Sequence, residues 1–310
     1  MFKTILVPLD GSEIAERALP YAERLAEIFG ARLVLHGAVP AVRMAKGKGS
    51  FSEFEALRER SDYLTDVINL ALAASLEVDA DVRVGDPRAS ILEAIQDRGA
   101  DLVVMSTHGR GGLERMVRGS VADAILRESP VPVLLSPRQA HIRWTDAPVR
   151  VVLPLDGSEL AALAIPYAAA IASSLKGTIH LLRAVGYEPE FDLSPFFRDT
   201  REEARRYLDS VAQRLNRQGL TTRQEVREGR PVSTILRVVE EQDADLVVMS
   251  SHGRGGVERA FLGSVADSVL QLALVPVLVV RSAPALAHEN GETRVDDILK
   301  VRLTGQLAAA

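Results

Sequence analysis

ILVPLDGSEIAERALPYA, residues 5–22, returns as VVLPLDGSELAALAIPYA, residues 151–168. A second block, ADLVVMSTHGRGGLERMVRGSVADAIL at 100–126, returns as ADLVVMSSHGRGGVERAFLGSVADSVL at 244–270. Self-similarity over such stretches marks a duplicated structural unit. Asp10 recurs as Asp156, 146 positions on, whereas Gly109 recurs as Gly253, 144 positions on. The change in length therefore lies between the two blocks, in the divergent stretch after the second strand. Two domains are expected, residues 1–140 and 149–282. The polar stretch RQAHIRWTDAP near 138–148 serves as the linker, and residues 283–310 form an Ala/Glu/Gly-rich tail with a short helix near Val295–Leu303.

Each copy reads in the same order. Residues 2–9 are an apolar run of the kind a strand buried on both faces requires. Ser12 stands where it can cap a helix whose apolar positions Ile14, Ala18, Leu25 and Ile28 keep helical spacing, and Gly30 stops it. ARLVLHGAV follows as a second strand, then a polar loop with KGKGS and a long amphipathic helix carrying Phe54, Leu57, Leu64, Ile68 and Leu72. EVDADVRVG, DLVVMS and VPVLLS complete the strands, with ASILEAIQDRG and SVADAILRE as helices between them. Strands alternating with helices imply βαβ units and a mostly parallel sheet. Pro20 and Pro166 fall inside helical patterns and are expected to kink them.

Composition narrows the function classes. The chain has 310 residues, 47% hydrophobic and 25% charged, enough for two real cores. A net charge of −5 gives no footprint for nucleic acid. There is no cysteine, which removes disulfides, zinc–thiolate sites and thiol catalysis together. No apolar run approaches the ~18 residues of a membrane span, and MFKTILVPLD lacks the features of a signal peptide, so the cytoplasm is the expected location.

The chemistry concentrates at two places. After the strand ending DLVVMS comes a loop with Gly109 and Gly112, then Gly119-Ser120 directly before a helix. Glycines admit close backbone approach, and amides at a helix N-terminus favour an anion, typically phosphate. The second copy supplies Gly253, Gly256, Gly263 and Ser264 in the same order. The loop is neither a Walker A sequence, which needs Gly-Lys-Ser/Thr, nor a dinucleotide fingerprint, whose glycines follow the first strand. The other place is Asp10, with Asp156 as its repeat, at the carboxyl end of the first strand, the edge where open α/β sheets bind ligands. The carboxylate either accepts from a ribose hydroxyl or an adenine amine, or holds a hydrated Mg²⁺, or serves as a helix cap.

V-P-L-D-G-S, H-G-R-G-G and G-S-V-A-D together resemble the universal stress protein family, here in tandem, over about residues 2–137 and 149–281. The motif G-x2-G-x9-G-[ST] of its ATP-binding branch fits at Gly109 and Gly119-Ser120, and at Gly253 and Gly263-Ser264; its first glycine is replaced by Ser106 and Ser250. The resemblance implies two doubly wound, Rossmann-like α/β domains, each a five-stranded parallel sheet of order 3-2-1-4-5. It places Pro8, Leu9, Asp10 and the backbone of Gly37, at the end of strand two, on the adenine and ribose side. Met105, Ser106 and His108 would border the sugar and phosphates, and the amides of Gly109, Gly119, Ser120 and Val121 would cradle the phosphates. The second site would be Pro154, Leu155, Asp156, Arg183, Met249, Ser250, His252, Gly253, Gly263, Ser264 and Val265. Arg183 stands where the first copy has Gly37, and either pairs with phosphate or crowds the base. Arg110 and Arg254 lie inside the loops, as phosphate clamps or as exposed rim residues. His108 and His252 have no partners at metal-ligand spacing, so metal is expected only as Mg²⁺ arriving with ATP or another adenine nucleotide.

Three functions compete. An ATP-binding stress-response regulator with conformational output and no or very slow hydrolysis fits best, because no lysine or positioned base follows the loop. A nucleotide-free interaction scaffold of the same family is the alternative. An ATP-cleaving enzyme on the same sheet would need a pyrophosphate-gripping S-G-G-x-D-S or an H-x-G-H motif after the first strand, and the chain has neither. The resemblance also implies that the fifth strands pair the two domains inside one chain, and it leaves a homodimer open.

Overall fold

The computed structural model describes residues 1–39, 50–71, 76–107, 119–137, 144, 148–186, 201–251 and 262–281. The chain divides into two compact units, Phe2–Ile142 and Arg143–Ala310.

In the first unit, β1 (Thr4–Pro8) leads through α1 (Glu13–Glu16) and α2 (Leu19–Phe29) to β2 (Arg32–Val39). Then come α3 (Ser50–Ala71), β3 (Val78–Val84), α4 (Pro87–Asp97), β4 (Leu102–Ser106), α5 (Ser120–Glu128) and β5 (Val133–Ser136). The strands are parallel and ordered β3-β2-β1-β4-β5. The second unit repeats the plan with β6 (Arg150–Pro154), α6 (Glu159–Ala162), α7 (Ile165–Ser174) and β7 (Thr178–Val185). It continues with α8 (Arg201–Arg217), β8 (Thr221–Glu228), α9 (Pro231–Glu241), β9 (Leu246–Ser250), α10 (Ser264–Leu272) and β10 (Val277–Val280), in the order β8-β7-β6-β9-β10. The expected architecture is thus present twice.

Burial explains the order. Ile5, Leu6 and Val7 of β1 are all fully buried, as a central strand covered on both faces must be. Each such side chain contributes about 1.5–3 kcal/mol relative to exposure. The outer strands β3 and β8 are mostly half-buried or exposed instead, with Asp81 the one buried position between them, as sheet edges are.

Pro20 and Pro166 do not kink a helix. The chain ends a one-turn helix at Glu16 or Ala162 and starts a second, in which the proline occupies the first turn. A proline's missing N–H costs nothing there, because first-turn amides have no partner within the helix. Gly30 closes α2 at φ 61°, the left-handed stop its position suggested. Trp144, within the expected linker, is buried, and its indole N–H donates to the Asp245 carbonyl at 3.1 Å. Leu72 and the tail helix expected at Val295–Leu303 lie outside the described residues.

Candidate functional site

In the first unit the chain leaves β1 toward β2 on one side, and later reaches β4 on the other, where Ile5 and Leu6 lie beside Leu102 and Val103. This reversal is the switch point at which open α/β sheets form a crevice beyond the strand carboxyl ends. β6, between β7 and β9, repeats it.

The carboxylate side of the crevice is built by one turn, used twice. The Leu9 amide donates to the His36 carbonyl at 2.8 Å, carrying the β1–β2 pairing one residue past the strand. Gly11 then turns the chain at φ 79°, a left-handed angle that favours glycine. Asp10 Oδ1 accepts from the Ser12 amide at 3.0 Å and the Ser12 hydroxyl at 2.6 Å, while Ser12 Oγ accepts from the Ala15 amide and caps α1. In the second unit Leu155 donates to Leu182 O at 2.8 Å. Gly157 turns at φ 85°, and Asp156 Oδ1 takes the Ser158 amide and hydroxyl at 2.9 and 2.6 Å. Serine is therefore the cap and aspartate its brace. The brace fixes one carboxylate oxygen at the crevice edge.

The opposite side is a helix N-terminus. Met105 and Ser106 are buried at the end of β4, as Met249 and Ser250 are in β9. Thr107 donates to Ser136 O at 3.1 Å, and its own carbonyl accepts from the Gly119 amide at 2.9 Å. Ser251 and Gly263 repeat that closure at 2.8 Å. The Gly119 and Gly263 amides thus donate to the backbone carbonyls of Thr107 and Ser251. Both residues are extended, with φ near −60° and ψ 144°, angles open to any residue.

α5 and α10 begin at the next residue, and among the described residues no side-chain hydrogen bond caps either of them. α1, α4 and α6 are capped by Ser12, Asp86 and Ser158, whereas α2, α7 and α9 also start without a side-chain cap, so what sets α5 and α10 apart is their place after the strand at the switch point. The first helical bonds of α5 and α10 are made by the Asp123 and Asp267 amides to Gly119 and Gly263. The amides of Ser120 and Val121, and of Ser264 and Val265, precede them, at the positive end of a helix dipole. Asp123 and Asp267 also stand in these first turns, with carboxylates turned to Arg127 and Gln271 one turn on. His108, Gly109, Arg110 and Gly112, with His252, Gly253, Arg254 and Gly256, lie outside the described residues. Pro8 and Pro154 end the central strands, partly exposed.

Gly37 lies inside β2, two residues before its end, and Arg183 has the corresponding place in β7. Arg183 is only 3% exposed; its guanidinium lies against Gly157 and 5.3 Å from the centre of the Tyr207 ring.

A polar cluster that the sequence reading did not single out lies behind the first crevice. His36 Nδ1 is 2.7 Å from Asp81 Oδ2, and Ser90 Oγ is 2.9 Å from His36 Nε2. The order of atoms is that of a serine–histidine–acid relay. Yet His36, Asp81 and Ser90 are 1%, 5% and 3% exposed, so no substrate reaches the hydroxyl. Burial alone would raise the Asp81 pKa, but hydrogen bonds from His36, Arg83 and Arg98 outweigh it and hold the carboxyl well below the usual range. The cluster ties α4 and β3 to β2. A histidine in the middle of an apolar strand was the available signal. Among the described residues, no group of three or more His, Asp or Glu is placed to hold a metal ion, and no helix is long and apolar enough to cross a membrane.

Comparison with known proteins decides the family. The model of the universal stress protein family matches residues 1–137 and again 149–281. The chain belongs to the universal stress protein family. A universal stress protein of Mycolicibacterium smegmatis is 28% identical over 297 residues, covering 89% of this chain and 96% of the relative. A universal stress protein of Thermus aquaticus is 38% identical over 137 residues, which is 44% of this chain but 98% of the relative. The crystal structure of a universal stress protein from Archaeoglobus fulgidus shares the fold, with a TM-score of 0.71 at 22% identity, over 91% of this chain and 97% of that one. This protein is thus a tandem universal stress protein.

Proposed function

We propose that this universal stress protein is a cytoplasmic, nucleotide-dependent regulator of the stress response that binds ATP, with Mg²⁺, at the two switch-point crevices and hydrolyses it slowly or not at all. One observation carries the proposal. In each unit a helix N-terminus without a side-chain cap, α5 or α10, follows the strand at one side of the switch point, and a braced aspartate ends the strand at the other. An anion satisfies the helix amides and its dipole, while the carboxylate accepts from hydroxyl or amine groups of a nucleoside. In this proposal Ser120, Val121, Ser264 and Val265 hold phosphate, and Asp10 and Asp156 hold the sugar or base. Met105, Ser106, Met249 and Ser250 form the floor.

The output would be conformational: a ligand with unequal affinity for two arrangements shifts their populations. Calorimetry with ATP and Mg²⁺ tests this on the full chain. Saturable binding is expected, weakened by Gly119→Val and by Gly263→Val; the extended angles at both positions accept valine, whose branched side chain would crowd the helix entrance. No heat of binding up to roughly millimolar nucleotide would refute the proposal.

A further inference from the structure

An arginine lies against the same tyrosine in both units, but different elements carry it. In the first unit Arg60, from α3, lays its stem across Gly37: a Cβ added to Gly37 would sit 2.6 Å from Arg60 Cδ and 2.8 Å from Cγ. Its guanidinium carbon is 5.7 Å from the centre of the Tyr63 ring. In the second unit the arginine is Arg183, rooted in β7 itself, with its guanidinium carbon 5.3 Å from the Tyr207 ring. Tyr63 and Tyr207 correspond at the later repeat offset, 144 residues, and at that offset Arg60 corresponds to Ala204. A strand glycine beneath a helix arginine has become a strand arginine beneath a helix alanine. Large and small residues have changed places.

The exchange alters what the arginine can do. Arg60 is partly exposed and extends from a helix, so rotations about its own side-chain bonds, at the loss of its contacts with Gly37 and Tyr63, can carry it outward into water without moving a strand. Arg183 starts inside a strand pairing with Val226, is almost wholly buried, and touches the Asp156–Gly157 turn: a Cβ on Gly157 would meet its Nη1 at 2.5 Å and Nη2 at 2.8 Å. Moving it would break a packed contact and carry a permanent charge out of its place. The crevice beside Asp10 can therefore be cleared by a side-chain motion, whereas the one beside Asp156 is filled from within the sheet.

We infer that Arg183 is a specificity-determining residue that makes the second crevice the weaker nucleotide site, leaving the first unit as the principal one. The inference rests on the nucleotide proposal above, because it concerns which crevice admits that ligand. A site whose open form is a minor state loses affinity in proportion to that minor population.

The test is calorimetry with ATP and Mg²⁺ on the full chain. It compares wild type, Arg183→Gly, the double variant Arg183→Gly/Ala204→Arg, and the reverse exchange Gly37→Arg/Arg60→Ala. Circular dichroism confirms folding. Wild type is expected to bind one tight equivalent, removed by Gly119→Val. The double variant, which rebuilds the first unit's own pairing, should bind a second equivalent about tenfold or more tighter than wild type does, the factor for an open state populated at or below ~10%. The reverse exchange should lose the tight site. If Arg183→Gly alone unfolds, the double variant still decides. Two equal equivalents in wild type, removed separately by Gly119→Val and Gly263→Val, would overturn the inference. So would weaker second-site binding in the double variant, since Arg183 would then be a ligand contact. Binding by no variant would bring down the nucleotide proposal and the inference together.

Discussion

The two units share a backbone plan and differ in where they keep their buried charge. In the first, Asp81 is the hub: it is 5% exposed and gathers His36, Arg83 and Arg98. In the second, Glu225 has the same place in the edge strand, but its longer side chain is 30% exposed and holds His180 and Arg227, which also pairs with Glu241. The histidine has moved as well. His36 lies directly across from Asp81 in the strand register, whereas Glu225 lies across from Leu182, and His180 sits two residues back on the same face. Interactions held by the backbone stayed fixed through duplication. Some side-chain pairs were kept, as Arg83–Asp97 and Arg227–Glu241 show, while others shifted where another arrangement satisfied the same charges.

The largest expected effect removes the hub. Asp81→Ala takes the shared carboxylate from His36 and Arg98 and leaves Arg83 only its pairings with Asp97 and Glu93; it should cost about 3 kcal/mol, the lower end for breaking a buried ion pair because both arginines reach solvent. Glu225→Ala removes a partly solvated acid and should cost only about 1 kcal/mol. Trp144 is the chain's single tryptophan and packs in the second unit, so its fluorescence reports that unit while circular dichroism reports both. In urea, Asp81→Ala should move the circular dichroism transition and leave the tryptophan transition in place. Equal costs in the two units would erase the comparison.

A smaller effect is the response to acid, where the order reverses. The Asp81 pKa is depressed in the folded state, so its contribution is complete above the unfolded value of about 4 and is lost as pH falls below it. The His180 pKa is also lowered, first by burial and further by Arg227 and Arg223, against the opposing pull of Glu225. Folding therefore prefers neutral His180. That contribution is complete above the unfolded value near 6.5 and declines as pH drops through it. Between about pH 7 and 5 the tryptophan transition should weaken while Asp81's contribution stays constant. His180→Val, which copies Val34 of the first unit, should flatten the tryptophan-detected slope. An unchanged slope would show that another group titrates there.

How much of this the sequence disclosed depends on the range of each interaction. The repeat and the Asp-Gly-Ser turns were legible because they depend on neighbours in the chain, whereas the strand order, which sets Ile5 beside Leu102, came only from the family resemblance. Pro20 and Pro166 were legible as irregularities but not as helix starts, since a kink and a break both follow from one missing N–H. The engaged amides of Gly119 and Gly263 were hidden, because their acceptors lie on the far side of the glycine loop. Arg60 was invisible until placed in space: it touches Gly37 across a segment whose length changed between the copies. Aligning Tyr63 with Tyr207 recovers the Arg60–Ala204 correspondence, but nothing in the sequence says that Gly37 lies beneath it.

The smallest prediction concerns the feature in which the units agree. Ser12 and Ser158 each cap a one-turn helix, accepting from Ala15 at 3.2 Å and Ala161 at 3.1 Å, and each donates to its aspartate at 2.6 Å. An alanine at a helix N-cap costs about 1 kcal/mol, and the geometry gives no reason for the two units to differ. Ser12→Ala and Ser158→Ala should therefore destabilise their own units equally, within about 0.5 kcal/mol. They should also weaken nucleotide binding, because the serine that caps the helix also orients the carboxylate. The binding loss should be visible for Ser12→Ala and slight for Ser158→Ala if the first crevice is the principal site. Equal losses of stability with unequal losses of binding would separate the shared scaffold from the arginine that distinguishes the two crevices. Unequal losses of stability would mean that the two turns, despite matching distances, do not bear the same load.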